Sequence, residues 1–476
     1  MTDDKKNEDQ QQVLLATEAE LMVDSLQVID LPEYGSVRWL NQHENLEKLN
    51  MQAVLSASRN EDEFIKDFLV SSGKINLLLG DIIMTDVWKR FVFPAMKQLG
   101  HEPKTSIFLY TGLYHEVTVI SLLESALFHG EAVESLDENL LDLIDFIYRK
   151  LMDLTSDWPF DFGDDSDYQE GAKKSSSTTE EGNNQWSCFD ELGKQDTALK
   201  FGVTMKCLNI LRYIIDQCAT GQLPLSVSNR LLVVFDFPLL LVQIMDSKPW
   251  MRQVNNGKTT LVYVDTRWKP IQSPDDIEKM SSAEAQVWLG LYQLLMTQDL
   301  QRKYDFNSFR RSVFAKLRTH LTESVLDQLP VLVEFRRFIE HLSFTTADVA
   351  PPKSEIVIEQ VPEIYDKIVA KYEKKWRKLA QDQLSKFFDP SDPNVARRMA
   401  SGLANAYNVD AIEPLLMMNG DPPKCAKADC GKNATKRCSR CKTEWYCSRP
   451  CQVEHWKKHK PACDLIVNAE KEAVNN

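Results

Sequence analysis

The sequence predicts a mainly α protein, a body of stacked helical pairs followed by a small C-terminal module closed on two zinc ions. Three observations carry that expectation. Apolar residues recur every three or four positions along most of the chain. Strand-like alternation is confined to one short stretch. Seven of the ten cysteines crowd between Cys425 and Cys463.

The helical pattern runs through residues 13–26, 46–55, 64–79, 117–127, 140–151 and 199–215. It resumes through 285–295, 309–321, 325–339 and 361–388. In the last window Ile364, Ile368, Tyr372, Trp376 and Leu379 form one stripe of a long helix flanked by Lys371, Lys374, Lys375 and Lys378, which reads as packing against the body. Many amphipathic helices joined by short polar links suggest an armadillo- or HEAT-like array, although no repeat period stands out. The exception is 257–268, where Thr260, Val262 and Val264 alternate as one arm of a hairpin. The apolar run 231–245 is broken by Asp236 and Pro238 and is too short to span a bilayer, so it reads as a buried helix pair.

Three joints divide the chain. Residues 157–186 hold Asp161, Asp164, Asp165, Asp167 and Glu170 and then a Lys/Ser/Thr/Glu run, the composition of a solvated insert. Pro351-Pro352 marks a second joint within 347–354, and 419–423 a third. The expected organisation is a helical domain at 1–156, an insert at 157–190 and a second helical region at 191–346. A linker with a long amphipathic helix at 347–418, a zinc module at 419–464 and a tail at 465–476 complete it.

At 476 residues and a formal charge of −14, the whole chain is poorly suited to nucleic acid. The average hides a split. From Lys424 to Cys463, eleven Lys/Arg against three Asp/Glu give +8, which leaves the remainder at about −22. The N-terminus Met1-Thr2-Asp3-Asp4-Lys5-Lys6 lacks the apolar run of a signal peptide, and cysteines in such a chain point to metal rather than disulfides.

The spacing decides the metal chemistry. Cys425-x4-Cys430-x7-Cys438-x2-Cys441-x5-Cys447-x3-Cys451-x7-His459-x3-Cys463 supplies eight soft donors, the number two closed tetrahedral Zn²⁺ shells need. Cys438 and Cys441 suit a knuckle, and Cys451, His459 and Cys463 share one helix face. Seven thiolates and two Zn²⁺ change the segment's +8 by −7 and +4, to about +5, so its lysines also offset sulfur charge. A forty-residue segment this polar depends on metal to fold. His455 lies four residues after Cys451, so spacing alone does not choose between His455 and His459.

Other motifs are incomplete. Gly257-Lys258-Thr259 lacks the upstream glycine of a phosphate loop, because Arg252 stands there. Asp161-Phe162-Gly163 has no His-Arg-Asp partner. His115-Glu116 lacks a second histidine. His43, His101, His129, His320 and His341 are isolated in sequence and read as structural.

Lys436-Arg437-Cys438-Ser439-Arg440-Cys441, Trp445-Tyr446-Cys447-Ser448, Cys451-Gln452 and Trp456-Lys457-Lys458-His459-Lys460 resemble the MYND-type zinc finger. That resemblance implies an interleaved pairing, with Cys425, Cys430, Cys447 and Cys451 on one ion and Cys438, Cys441, His459 and Cys463 on the other. It therefore selects His459. The first pair here is spaced x4, where x2 is commoner. Fingers of this type bind short proline-containing peptides through exposed aromatics, and the matching positions are Trp445, Tyr446, Gln452 and Trp456, of which Tyr446 and Trp456 fit a small core of the finger equally well.

A wider resemblance rests on residues 42–53, Leu211-Arg212-Tyr213-Ile214, Gln286-Val287-Trp288, Leu326-Asp327-Gln328-Leu329-Pro330, Pro351-Pro352-Lys353 and 437–463. Together they resemble the zinc finger MYND domain-containing protein ten family. The resemblance implies a non-enzymatic adaptor or co-chaperone for cytoplasmic preassembly of axonemal dynein arms in motile cilia. Its expected partners are a leucine-rich-repeat dynein assembly factor, heat-shock chaperones and axonemal dynein chains. Its expected location is cytoplasmic, near the centrosome, centriolar satellites or cilium base. Two other classes fit the sequence less well. A lysine methyltransferase would carry a cofactor motif after its finger, where only 464–476 follow, and a MYND-type transcriptional corepressor adaptor would use the basic tip.

Overall fold

The computed structural model describes residues 14–155, 187–254, 259–264, 266–271, 273, 279–344, 361–390, 396–397, 400, 425–427, 430–441 and 444–473. The expected insert at 157–186, the joints at 347–354 and 419–423, and the Asp161 and Gly257 tripeptides fall wholly or largely outside these residues. Contacts divide the chain into two compact units, Met1–Ala126 with Phe160–Lys200 and Ile364–Asn476, and Leu127–Pro159 with Phe201–Glu363. This departs from the consecutive blocks read at 1–156, 191–346 and 347–418. The first unit is assembled from stretches far apart in sequence, because the apolar stripe of the late helices is buried in the N-terminal core.

That core is built on Val37–Arg59, Ile75–Val87, Ile107–Leu127 and the start of Cys188–Ala219. The last helix begins inside the block assigned to the insert, whose boundary therefore lies before Cys188 rather than after residue 190. Ser36 caps Val37–Arg59 by accepting from the Trp39 amide, and Asn60 ends it in a left-handed conformation. The 64–79 window is two helices, Phe64–Ser71 and Ile75–Val87, because Gly73 turns the chain at φ +63. Ile75–Val87 passes through a π turn, Trp88–Val92, into Phe93–Gln98. Pro94 lies two residues past that turn and has no amide to continue the α-helical ladder.

The single long helix expected over 361–388 is two, Ile364–Tyr372 and Trp376–Gln383, closed by a π turn at Leu384–Phe388. Lys374 sits between them at φ +68. The break gives the two halves separate contacts with the core. Tyr372 is buried, with Ile368 packed beside it, and Trp376 stacks on Phe91 at 4.7 Å. Further along, Gln383 is buried to 1% exposure. It accepts a 2.9 Å hydrogen bond from Trp88 Nε1 and donates one of 2.6 Å to the Leu31 carbonyl. Phe388 then fills the space above Gly35. A Cβ there would come within 2.5 Å of its ring, and Gly35 also has φ +87, so no other residue fits.

Several buried charged groups inside this unit are paired. Lys89 is 2.5 Å from Glu116 and 2.6 Å from Asp196, all three buried, the second contact in ion-pair rather than hydrogen-bond geometry. Burial raises the Asp196 carboxyl, but Lys89 and Lys200 outweigh it and hold the group below its usual range. His43 and His115 are not isolated. Their Nδ1 atoms lie 2.9 Å apart, His115 Nε2 meets Asp81 at 3.1 Å, and Trp39 stacks on His43 at 5.4 Å.

The second unit packs Leu140–Met152, the end of Cys188–Ala219, Phe237–Ser247, Ser282–Met296, Ser308–Lys316 and Leu332–Phe344. The 231–245 run is a bent pair. Asp236 turns the chain at φ +49, accepting from Tyr304 Oη at 2.6 Å and pairing with Arg310 at 2.7 Å. The strand region is an antiparallel meander of Met251–Val254, Thr259–Val264 and Arg267–Pro270, in which Met251 pairs with Val262 and Tyr263 with Trp268. Val254 and Leu261 are its buried residues, and Phe201 packs on Tyr263 at 4.9 Å and Trp268 at 5.3 Å. Among the described residues no single helix is long and apolar enough to cross a membrane.

Two stability predictions follow from the buried polar groups. Lys89→Met takes the buried cation from Glu116 and leaves Asp196 to Lys200 alone, and is expected to lower unfolding stability by about 3–5 kcal/mol, measured by urea titration. Burial, and then His115, hold His43 well below its ordinary 6.5. The unfolded chain therefore takes up a proton that the folded chain refuses. Stability is full above pH 6.5 and falls below it, by up to about 1.4 kcal/mol per pH unit. Urea midpoints measured downward from neutral pH read this out, and His43→Gln flattens the dependence.

Candidate metal centre

The C-terminal segment has little backbone regularity of its own. Two two-residue strands, Lys436–Arg437 and Trp445–Tyr446, pair antiparallel, and the helix Arg449–Ala473 follows. The helix runs through Pro461 and past residue 464, so the expected tail at 465–476 is largely its continuation. The backbone is pinned where the cysteines lie. Cys425 N donates to Lys432 O at 2.9 Å, Ala426 N to Trp445 O at 2.8 Å and Cys438 N to Glu444 O at 2.8 Å. Gly431, at φ +54, makes the turn after Cys430.

These turns gather the donors into two groups. Cys425, Cys430, Cys447 and Cys451 form one, and Cys438, Cys441, His459 and Cys463 the other, the donor atoms of each lying within 4.8 Å of one another. In the first, Cys430 Sγ is 3.4 Å from Cys447 and 3.6 Å from Cys451, and Cys447 is 3.5 Å from Cys451. In the second, Cys438 and Cys463 are 3.9 Å apart, and Cys441 Sγ is 3.5 Å from His459 Nε2. A tetrahedral shell with Zn–S near ~2.3 Å places sulfurs about 3.8 Å apart, and a sulfur and an imidazole nitrogen about 3.6 Å apart. Two zinc ions fit these two groups, in the interleaved pairing.

The ninth candidate has another task. His455 Nδ1 lies 3.1 Å from Tyr446 Oη, so its ring nitrogen is engaged by the phenol. His459 instead is 3% exposed, within the second group.

Without metal, burial and the crowding of sulfurs govern how the ligand thiols ionise. Burial pushes the Cys430 thiol up to about 12, and burial with the neighbouring Cys441 and Cys438 sulfurs pushes Cys463 up to about 12. Cys447 goes the other way, to about 7, because Cys430 hydrogen-bonds to it. Cations flank both groups. Lys427 feels the Cys451 and Cys430 sulfurs and pairs with Glu454, while Arg440 feels Cys463 and Cys438 and pairs with Asp464 at 2.7 Å.

The four aromatic and amide positions expected to meet a peptide do not all lie at the surface. Tyr446 is 1% exposed and belongs to the small core beside Cys425, Cys438, Cys441 and Cys463. The reason is strand alternation, since the two-residue strand turns Tyr446 inward and Trp445 outward. Trp445, Gln452 and Trp456 remain half-exposed. Arg437 lies 4.2 Å from the Trp445 ring centroid and Arg440 5.6 Å from that of Trp456.

Eight donors in two closed shells with no open position, behind a helical body, define a MYND-finger protein of adaptor type. The MYND finger family matches residues 425–463. The zinc finger MYND domain-containing protein 10 homolog of Drosophila melanogaster is 30% identical over 463 residues, covering 93% of this chain and 97% of that protein. The chain belongs to the zinc finger MYND domain-containing protein 10 family. Two Arabidopsis thaliana proteins resemble only a short stretch of it. The histone-lysine N-methyltransferase ASHR1 is 42% identical over 40 residues, and ubiquitin carboxyl-terminal hydrolase 19 is 49% identical over 58 residues, each match covering 8% of that protein. No solved structure matches the chain.

Because Cys430 and Cys463 hold their protons at neutral pH without metal, zinc must displace them. Affinity is therefore expected to fall as pH falls, by about one log unit per pH unit for each proton displaced. Competition with a colorimetric chelator across pH measures the slope. Native mass spectrometry should find two zinc ions per chain, and fewer than two in Cys438→Ala.

Proposed function

We propose that the protein is a non-catalytic adaptor, or co-chaperone, for cytoplasmic preassembly of axonemal dynein arms in motile cilia. The finger docks one protein partner, and the helical body meets a client or chaperone. Full-length membership of the family carries this reading. The partners proposed are a leucine-rich-repeat dynein assembly factor, heat-shock chaperones and axonemal dynein chains, met in the cytoplasm near the centrosome, centriolar satellites or cilium base.

The metal chemistry supports a docking role. With four protein donors each, the two ions have no position left for water or substrate. Zinc supplies folding free energy here, and the chain's own residues present the contact surface. Gln452 and Trp456 stand one helical turn apart on Arg449–Ala473, and the outward Trp445 precedes them. A proline-containing peptide would stack on such indole faces, as half-buried tryptophans dominate many interfaces. Two modest sites on one chain raise effective affinity beyond either alone.

The likeness to a methyltransferase and a hydrolase is confined to 40 and 58 residues and carries no argument about the body.

The test is quantitative affinity purification from differentiating multiciliated cells, comparing wild type, Cys438→Ala and Trp445→Ala/Trp456→Ala. The tryptophan variant should keep two zinc ions yet recover its finger partner at least about tenfold less well. Dynein chains should co-purify with wild type from the cytoplasmic fraction. Undiminished recovery with both variants would sink the docking role, and absence of dynein chains would sink the client assignment.

A further inference from the structure

The elbow between Ile364–Tyr372 and Trp376–Gln383 concentrates positive charge on an acidic chain. In eight residues, Lys371, Lys374, Lys375, Arg377 and Lys378 face a single acid, Glu373, a local charge of five less one, or +4, on a chain whose total is −14. The apolar side of the elbow is spent on the core, through Tyr372, Trp376 and Leu379. Its charged side is exposed.

Two of these lysines have local tasks. Lys371 is 2.5 Å from Asp30, and Lys375 donates to the Lys371 carbonyl at 3.3 Å, with its ammonium 5.9 Å from the Tyr372 ring centre. Lys374, Arg377 and Lys378 have no acidic partner among the described residues.

Lys374 adds an independent observation. At φ +68 it occupies a conformation that disfavours any residue with a Cβ and that glycine adopts freely. Lys248 is also left-handed, at φ +42, and there the side chain is explained by Glu284 at 3.3 Å. No such contact explains Lys374. A strained lysine at the tip of a bend, where glycine would serve the backbone better, points to a use for its ammonium outside the fold.

We propose that this elbow is a docking site for a short acidic peptide segment of a partner protein, held by Lys374, Arg377 and Lys378. A peptide is favoured over a bilayer or duplex because an extended anionic surface would meet the repulsion of the acidic remainder, whereas a short segment engages the elbow alone. The site is separate from the finger and does not depend on the finger's role.

The test uses full-length, zinc-loaded protein and a fluorescent peptide of alternating glutamate and glycine, with its glutamine analogue for comparison. Anisotropy should show binding to the glutamate peptide that weakens as salt shortens the Debye length from ~30 Å to ~8 Å, with little binding of the analogue. Lys374→Glu/Lys378→Glu should weaken it by about tenfold. Lys374→Gly should raise the urea midpoint while weakening binding, separating the ammonium's use from the fold. Carbodiimide coupling followed by mass spectrometry should place peptide carboxylates on Lys374 and Lys378. Equal binding of the glutamine analogue, coupling confined to Lys457 and Lys458 of the finger, or full affinity in both variants would overturn the proposal. So would tighter binding to phosphatidylserine vesicles or duplex DNA than to the peptide.

Discussion

The first unit depends on a buried amide. Gln383 lies in an apolar cluster of Trp88, Phe388 and Leu31, where an unpaired polar group is costly, and it is satisfied on both sides, by the Trp88 indole and the Leu31 carbonyl. Those partners stand 295 and 352 residues earlier in the chain. The two hydrogen bonds and the fit of Phe388 over Gly35 thus close the unit around chain from opposite ends. The broken helix is a consequence, since a straight one would give its two halves a common axis.

Charge follows the same logic of local satisfaction. Inside, Lys89 answers Glu116 and Asp196, and His115 bridges His43 to Asp81. At the C-terminus, Lys427 and Arg440 stand beside thiolates that two Zn²⁺ only partly neutralise. The positive tip of an acidic chain is therefore in part a structural requirement of seven sulfurs. At the elbow Lys371 pairs with Asp30, whereas Lys374, Arg377 and Lys378 have no such internal duty among the described residues.

The finger was far more legible in sequence than the body. Metal ligands are constrained to particular residue types at spacings set by short turns, so the seven cysteines stood out at once, while the choice of His459 over His455 came from the resemblance to the MYND finger. Aromatic roles are not constrained in this way. Tyr446 and Trp445 are equivalent by composition and motif, yet one fills the core and donates or accepts at His455, while the other faces outward. In the body, periodicity located most helices but not their breaks. Gly73 and Pro94 stand at a bend and after a π turn that the periodicity did not register, and Lys374 is an ordinary helix former whose left-handed conformation no local pattern announces.

By itself the sequence determined the helical character of the body, the two-ion stoichiometry and the donors available. These follow from periodicity and ligand chemistry, which act over a few residues. Only the tertiary structure decided which stretches share a unit, that His43 and His115 meet across 72 residues, and that Lys89 sits between two acids. Such pairings depend on where helices distant in sequence cross, and the energy that selects them is the burial of surfaces that no short window contains.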